Sequence, residues 1–310
     1  MPRNRWWWPW AALVCFAGCV KFQQHPLELG NPSNYVTLGK EHIYIEQHGP
    51  TTVQSEAAAP TIALVHGFGA TGRSWLFIQP ALARGHRVLV MDSPGFGRSD
   101  KYAGDYSIRS VADKLVEVLE RSGSRRFHLV CHSWGTSVCL AMALRAPGRV
   151  QSLTLISTFA YEEQLPPFLT WSRAPVLGEL LFGLMWDSRL DDRLNYSFYD
   201  PDRHIYPAAV DEARKLLSMP GALAASLAVA RGMDFGWMVP RYQTISQPVL
   251  IISGQEDAVT RLPAARRLYN DLPRARHLVI PQCGHVPFVE HPAKVAQAVL
   301  AFLREQEAQR

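Results

Sequence analysis

A hydroxyl, an imidazole and a carboxylate, the three groups of a nucleophilic relay, each follow an apolar run in this chain: Ser133, His285 and Asp257. Ser133 lies in Cys131-His132-Ser133-Trp134-Gly135, between the strand-like Phe127–Val130 and the helix-like Thr136–Ala146. A serine in that position must occupy a sharp turn, and small residues two places to either side let the flanking backbones approach. A hydroxyl is a poor nucleophile until an imidazole takes its proton, and a carboxylate fixes the imidazole tautomer and stabilises its cation. His285, in the loop Gln282-Cys283-Gly284-His285 after Leu278–Ile280, is the candidate base. The strand-like Val249–Ser253 runs into Gly254-Gln255-Glu256-Asp257, which puts carboxylates at a strand end; Asp257 is the candidate acid and Glu256 its neighbouring competitor. Thr61–Val65 leads into His66-Gly67-Phe68-Gly69, a turn whose N–H groups can face a developing oxyanion. Phe68 N–H is the expected first donor. Trp134 N–H is the second, because it opens a helix where N–H groups lack partners and the dipole is positive.

The order Ser133, Asp257, His285 is the order used by the α/β hydrolases, and the chain resembles that superfamily from about Tyr35 to Leu303. Met91-Asp92-Ser93-Pro94-Gly95-Phe96-Gly97-Arg98-Ser99-Asp100 is similar to the family's loop after the fourth strand. Cys131 stands where the family pattern has glycine, a departure that keeps the residue small. The resemblance implies that Asp257 rather than Glu256 is the acid, and that Asp92 holds loop backbone instead of acting chemically. Ser157 and Thr158 follow the preceding strand-like run Val150–Ile156, so no carboxylate is available there. His66 and His132 fall inside motifs, where packed, hydrogen-bonded roles are expected; His42, His48, His204 and His291 have no partner pattern. A serine nucleophile argues against the epoxide hydrolase and dehalogenase relatives, which use aspartate.

The amino terminus carries a separate message. Arg3 and Arg5 precede an almost wholly apolar run from Trp6 to Val20, signal-peptide length rather than the ~20 residues of a spanning helix. Phe16-Ala17-Gly18-Cys19 resembles the bacterial lipobox, with Phe16 a departure from its leucine-like residue, which implies acylation of Cys19, membrane attachment through that lipid, and the outer-membrane or periplasmic side of an envelope; a signal anchor or ordinary cleavage are the alternatives.

With 310 residues, 47% of them hydrophobic, the chain can bury a large core. The net charge of +5 is mild and the basic residues are scattered, so there is no nucleic-acid footprint. No cysteine and histidine cluster has zinc spacing and no glycine-rich nucleotide loop is present, so no cofactor is implied. After loss of a leader and acylation of Cys19, three cysteines remain; Cys131 and Cys139 are expected as buried free thiols.

Alternating elements predict an α/β fold, a mostly parallel sheet with helices on both faces. A hairpin is expected over 34–48, strands over 61–65, 87–91, 127–131, 150–156, 248–253 and 276–280, and helices over 74–84, 108–122, 134–146, 262–271 and 292–305. The expected organisation is a leader over 1–19, a core over 34–158 and 241–305, and an inserted helical cap over 159–240. Phe168, Leu169, Trp171, Val176, Leu177, Leu180 and Phe182 make that insertion too apolar for a solvated linker, and some of it is expected to roof an apolar pocket above Ser133, flanked by Phe68 and Trp134. The resulting expectation is a serine hydrolase of hydrophobic carboxylic esters, of esterase or monoacylglycerol-lipase-like preference. Carbon–carbon bond hydrolases, perhydrolases and proline iminopeptidases share the triad, and a non-catalytic ligand-binding protein could share the fold.

Overall fold

The computed structural model describes residues 31–50, 61–185 and 190–309; the apolar N-terminal segment expected to be a leader, with Cys19, and residues 51–60 lie outside the described residues. Eight strands form one sheet: β1 (Tyr35–Leu38), β2 (Glu41–His48), β3 (Thr61–Val65), β4 (Val88–Met91), β5 (Phe127–His132), β6 (Val150–Ile156), β7 (Val249–Gly254) and β8 (Ala275–Ile280). Their order is β1-β2-β4-β3-β5-β6-β7-β8. The β1/β2 and β2/β4 pairs are antiparallel and every other pair is parallel. Runs such as Thr61–Val65, Val88–Met91 and Val249–Gly254 are buried throughout, as parallel strands covered on both faces must be.

The sequence positions of the helices follow from which face they bury. On one face lie α2 (Ile108–Arg121) and α3 (Trp134–Arg145). Helix α2 buries Ile108, Val111, Ala112, Leu115, Val118 and Leu119, a 3.6-residue stripe, and Ser107 caps it by accepting the Ser110 N–H at 3.2 Å. Helix α3 is buried from Trp134 to Ala143, which is why it reads as apolar all round. On the other face are the short α1 (Gln79–Leu82) and the C-terminal α12 (Pro292–Ala308), which packs Val295, Val299, Phe302 and Leu303 against Ile62, Leu64 and Ile252. The single helix expected over 74–84 is instead a 3-10 turn, Gly72–Phe77, followed by α1. Pro80 lacks the N–H that would continue the first turn, so it opens a new helix.

Between β6 and β7 the described chain is helical: α4 (Pro167–Ser172), α5 (Leu177–Met185), α6 (Leu190–Ser197), α7 (Pro201–His204), α8 (Pro207–Leu217) and α9 (Ala222–Arg231). Leu169, Phe182, Leu190, Leu217 and Leu223 join the core on the α2/α3 face. Burial does not extend to the whole insertion, contrary to expectation: Trp171, Val176 and Leu184 are 60%, 69% and 71% exposed, because only one side of α4 and α5 meets α9 and the core. After β7, α10 (Leu262–Asp271) returns the chain to β8, and α11 (Pro287–Glu290) precedes α12.

One feature of the topology places the chemistry. β3 lies between β4 and β5, so the chain leaves β3 to one side and comes back to the other, and the loops beyond the carboxyl ends of β3 and β5 diverge. Such a switch point is where open α/β sheets bind ligands. Val65 pairs with Cys131, which puts His66–Gly69 beside Ser133.

Candidate active site

Ser133 forms the N-cap of α3 with φ 51° and ψ −125°, a region L-residues rarely occupy. Two close approaches hold this turn. A Cβ on Gly135 would lie 2.5 Å from the His66 carbonyl oxygen and 2.7 Å from that of Val65. A Cβ on Gly67 would lie 3.0 Å from His132 Nδ1 and 3.1 Å from Ser133 Cβ. Bare backbone at 135 therefore lets α3 start against the end of β3, and bare backbone at 67 lets the His66–Gly69 turn close on Ser133. Trp134 N–H is the first of α3 and meets no acceptor among the described residues. Phe68 is half-buried and stands edge-on to Phe96 at 5.5 Å; the Trp134 indole is buried and meets the same ring at 5.5 Å.

Cys131 and Cys139 form a disulfide, not the two free thiols expected from sequence. Cys131, the last but one residue of β5, lies on the face that α3 covers, and α3 doubles back beside its own strand, bringing residue 139 to a Cα–Cα distance of 6.6 Å, within bonding range. Cys283 remains free and buried.

Asp257 and His285 are paired across the ends of β7 and β8. His285 Nδ1 lies 3.0 Å from Asp257 Oδ2 and 3.2 Å from Oδ1, and both residues are buried. The carboxylate also accepts the N–H groups of Val259 and Thr260, each at 2.8 Å, and the Thr260 hydroxyl at 2.7 Å. Burial alone would raise the Asp257 pKa, but the His285 ring and these hydrogen bonds outweigh it and hold the carboxyl well below the usual range. Glu256 is occupied elsewhere, accepting the Cys283 N–H at 2.9 Å.

His285 lies against the residue that precedes Ser133. The His132 and His285 rings are 4.7 Å apart, and His132 Nε2 donates to the His285 carbonyl at 2.9 Å. Because a carbonyl only accepts, Nε2 carries the His132 proton. Burial, and next the His285 ring, push the His132 pKa down to about 3, so it is neutral. Ser133 Oγ makes no hydrogen bond among the described residues.

The remaining motif residues support backbone. Asp92 accepts the N–H groups of Gly72 at 2.6 Å and Arg98 at 2.8 Å. His66 accepts the Ser93 N–H at 2.9 Å through Nε2 and donates from Nδ1 to the Gly67 carbonyl at 2.7 Å, and its burial lowers its pKa. His42, which has no partner pattern in sequence, pairs with Asp100 at 2.9 Å and ties β2 to the loop after β4.

With the sheet order and this geometry in view, comparison with known proteins is decisive at the level of family: the profile of the alpha/beta hydrolase family matches residues 62–298. The chain belongs to that family. The acetyltransferase component of an acetoin cleaving system from Pseudomonas putida is 31% identical over 261 residues, covering 81% of this chain; the chain spans 65% of that relative's length. A 2-hydroxymuconate semialdehyde hydrolase from Pseudomonas sp. (strain CF600) is 28% identical over 291 residues, covering 89% of this chain and 98% of that protein. Among solved structures, Est816, described as an N-acyl homoserine lactone degrading enzyme, superimposes with a TM-score of 0.71 at 25% identity, covering 86% of this chain and 99% of that one. Other relatives are named as hydrolases, among them a carbamate hydrolase and the 2-hydroxymuconate semialdehyde hydrolase.

Two residues of the site were not singled out in the sequence. Thr260 could have been found, because Asp-Ala-Val-Thr over 257–260 has the spacing by which a carboxylate collects the N–H groups two and three residues on. Glu290, which accepts the Gly284 N–H at 2.8 Å, has no such local signal. An open groove of about 430 Å³ lies between Asp105–Ser107 and the α9 residues Leu227 and Arg231, and none of Ser133, Asp257 and His285 lines it.

Proposed function

We propose that this hydrolase cleaves carboxylic esters of hydrophobic acyl groups through an acyl-enzyme on Ser133. The observation that carries the reading is the buried His285–Asp257 pair, set beside a serine held at positive φ. Ser133 Oγ attacks the ester carbonyl carbon while His285 Nε2 accepts its proton; Asp257 holds Nδ1–H and steadies the imidazolium. The N–H groups of Phe68 and Trp134 receive the oxyanion. Collapse expels the alcohol, protonated by His285, and water attacks the acyl-enzyme with His285 again as base. The half-exposed Phe68 ring and the apolar residues of the α4–α9 insertion, acting as a cap, suit an acyl chain.

Reaction of the full chain in detergent with p-nitrophenyl esters of increasing chain length tests this. Hydrolysis that falls by at least about 10³-fold in Ser133→Ala, His285→Ala and Asp257→Asn is the expected result; a folded wild type inert on every ester refutes it. A second reading is favoured by the match along 89% of the chain to a 2-hydroxymuconate semialdehyde hydrolase: carbon–carbon bond cleavage on the same triad. Turnover of that semialdehyde in place of esters would select it. We also place the enzyme outside the cytosol, anchored by lipid at Cys19. The Cys131–Cys139 disulfide supports an oxidising compartment.

A further inference from the structure

Three successive backbone N–H groups of the histidine loop are taken up by three different parts of the molecule. Cys283 N–H is accepted by Glu256 at 2.9 Å, from the loop after β7. Gly284 N–H is accepted by Glu290 Oε1 at 2.8 Å, from the end of α11. His285 N–H is accepted by the Ser197 carbonyl at 2.7 Å, from the insertion. The second oxygen of Glu290 reaches the insertion as well, accepting Tyr199 N–H at 2.8 Å. One carboxylate thus bridges the histidine loop and the segment Ser197–Tyr199.

The fit between these segments leaves no slack. A Cβ on Gly284 would lie 2.7 Å from the Ser197 carbonyl oxygen, 2.8 Å from Tyr199 N and 2.9 Å from Phe198 C, so the insertion rests directly on the backbone that precedes His285. On its other side the His285 carbonyl is held by His132. The His285 main chain is therefore clamped between the residue preceding Ser133 and a strap of the insertion, while Asp257 fixes only the ring's Nδ1 edge.

We propose that Glu290 is a positioning residue for the reaction: by binding Gly284 N–H and Tyr199 N–H together, it locks the Ser197–Tyr199 strap onto the histidine loop and so sets the reach of His285 toward Ser133. This rests on the reading of His285 as the base. Glu290 touches no substrate. Its loss releases the strap, frees the Gly284 N–H and allows the imidazole to wander, and misplacement of about 1 Å at a reacting group costs about 10²-fold in rate. The effect falls on the chemical step, so kcat drops while KM changes little.

The experiment compares wild type with Glu290→Ala, Glu290→Gln, Tyr199→Pro and the Glu290→Ala/Tyr199→Pro double variant, in the full chain. Each is measured for its rate of labelling by a fluorophosphonate, for kcat and KM on a p-nitrophenyl ester that wild type turns over, and for its melting temperature. The expected result has four parts. Glu290→Ala labels about 10- to 100-fold more slowly with KM within about threefold. Glu290→Gln recovers part of the rate, because its carbonyl oxygen still accepts one N–H. Tyr199→Pro, which removes the N–H on the insertion side, is slow by a similar factor. The double variant is no slower than the worse single one, since both cut the same link. Labelling rates within about twofold of wild type in Glu290→Ala, or independent multiplication of the two single effects, overturn the proposal; if Glu290→Ala does not fold, Glu290→Gln and Tyr199→Pro decide by the same rates. Wild type that labels in no Ser133-dependent manner instead overturns the triad reading, so the two failures are distinguishable.

Discussion

Replacing His132 by glutamine should flatten the acid limb of this protein's stability. His132 is buried against Phe288 and His285, and its pKa lies near 3 because burial disfavours the cation. In the unfolded chain the ring returns to about 6.5. The folded value is depressed, so the unfolded state binds the proton first as pH falls. The neutral ring's contribution is fully present above about pH 6.5 and is lost at about 1.4 kcal/mol per pH unit below it, until the folded pKa is reached. From pH 6.5 to pH 4.5 the loss is about 2 kcal/mol. Glutamine cannot titrate, yet its amide can still donate to the His285 carbonyl. Urea unfolding of both proteins at pH 7 and pH 4.5 reads this directly. The stability gap between wild type and His132→Gln should shrink, or reverse, by about 2 to 3 kcal/mol at the lower pH. His66 and Asp257 also carry depressed values that cost stability in acid, but they are present in both proteins and cancel in the difference. A gap equal at the two pH values would refute the reasoning, because His132 would then bind protons equally well folded and unfolded.

Two further outcomes follow from the turn around Ser133. Removing the Cys131–Cys139 link by Cys139→Ala should lower unfolding free energy by about 2.5 kcal/mol, the chain-entropy value for so short a loop, and thiol counting on the denatured wild type should find both cysteines unreactive until a reductant is added. Gly135→Ala should abolish fluorophosphonate labelling of Ser133 while circular dichroism still reports a folded sheet. The added Cβ would meet two carbonyl oxygens of β3 at 2.5 and 2.7 Å, and α3 must move away to admit it; labelling at the wild-type rate would contradict that.

What could be read from the sequence divides by how far apart the interacting residues lie along the chain. The strands, α2, α3, α10 and α12 fall within a few residues of their expected places, because a buried parallel strand is an unbroken apolar run and a half-buried helix carries its stripe in consecutive residues. The positive-φ turn at Ser133 was legible for the same reason: strand, small residue, serine and helix start are neighbours in sequence. The helix expected over 74–84 is broken locally, because Pro80 lacks the N–H that would carry the preceding turn on and the apolar pattern around it does not register that. The disulfide failed because the approach of residue 139 to residue 131 is set by how α3 leans on β5, which no spacing reports. Glu290 and Tyr199 are 91 residues apart, and the N–H that Glu290 accepts from the insertion has no side-chain signature, because any residue at 199 except proline supplies it. The groups that would make and break bonds are legible because chemistry restricts their residue types. The groups that aim them act through main-chain hydrogen bonds and close approaches, where type is nearly free and only the folded backbone shows the contact.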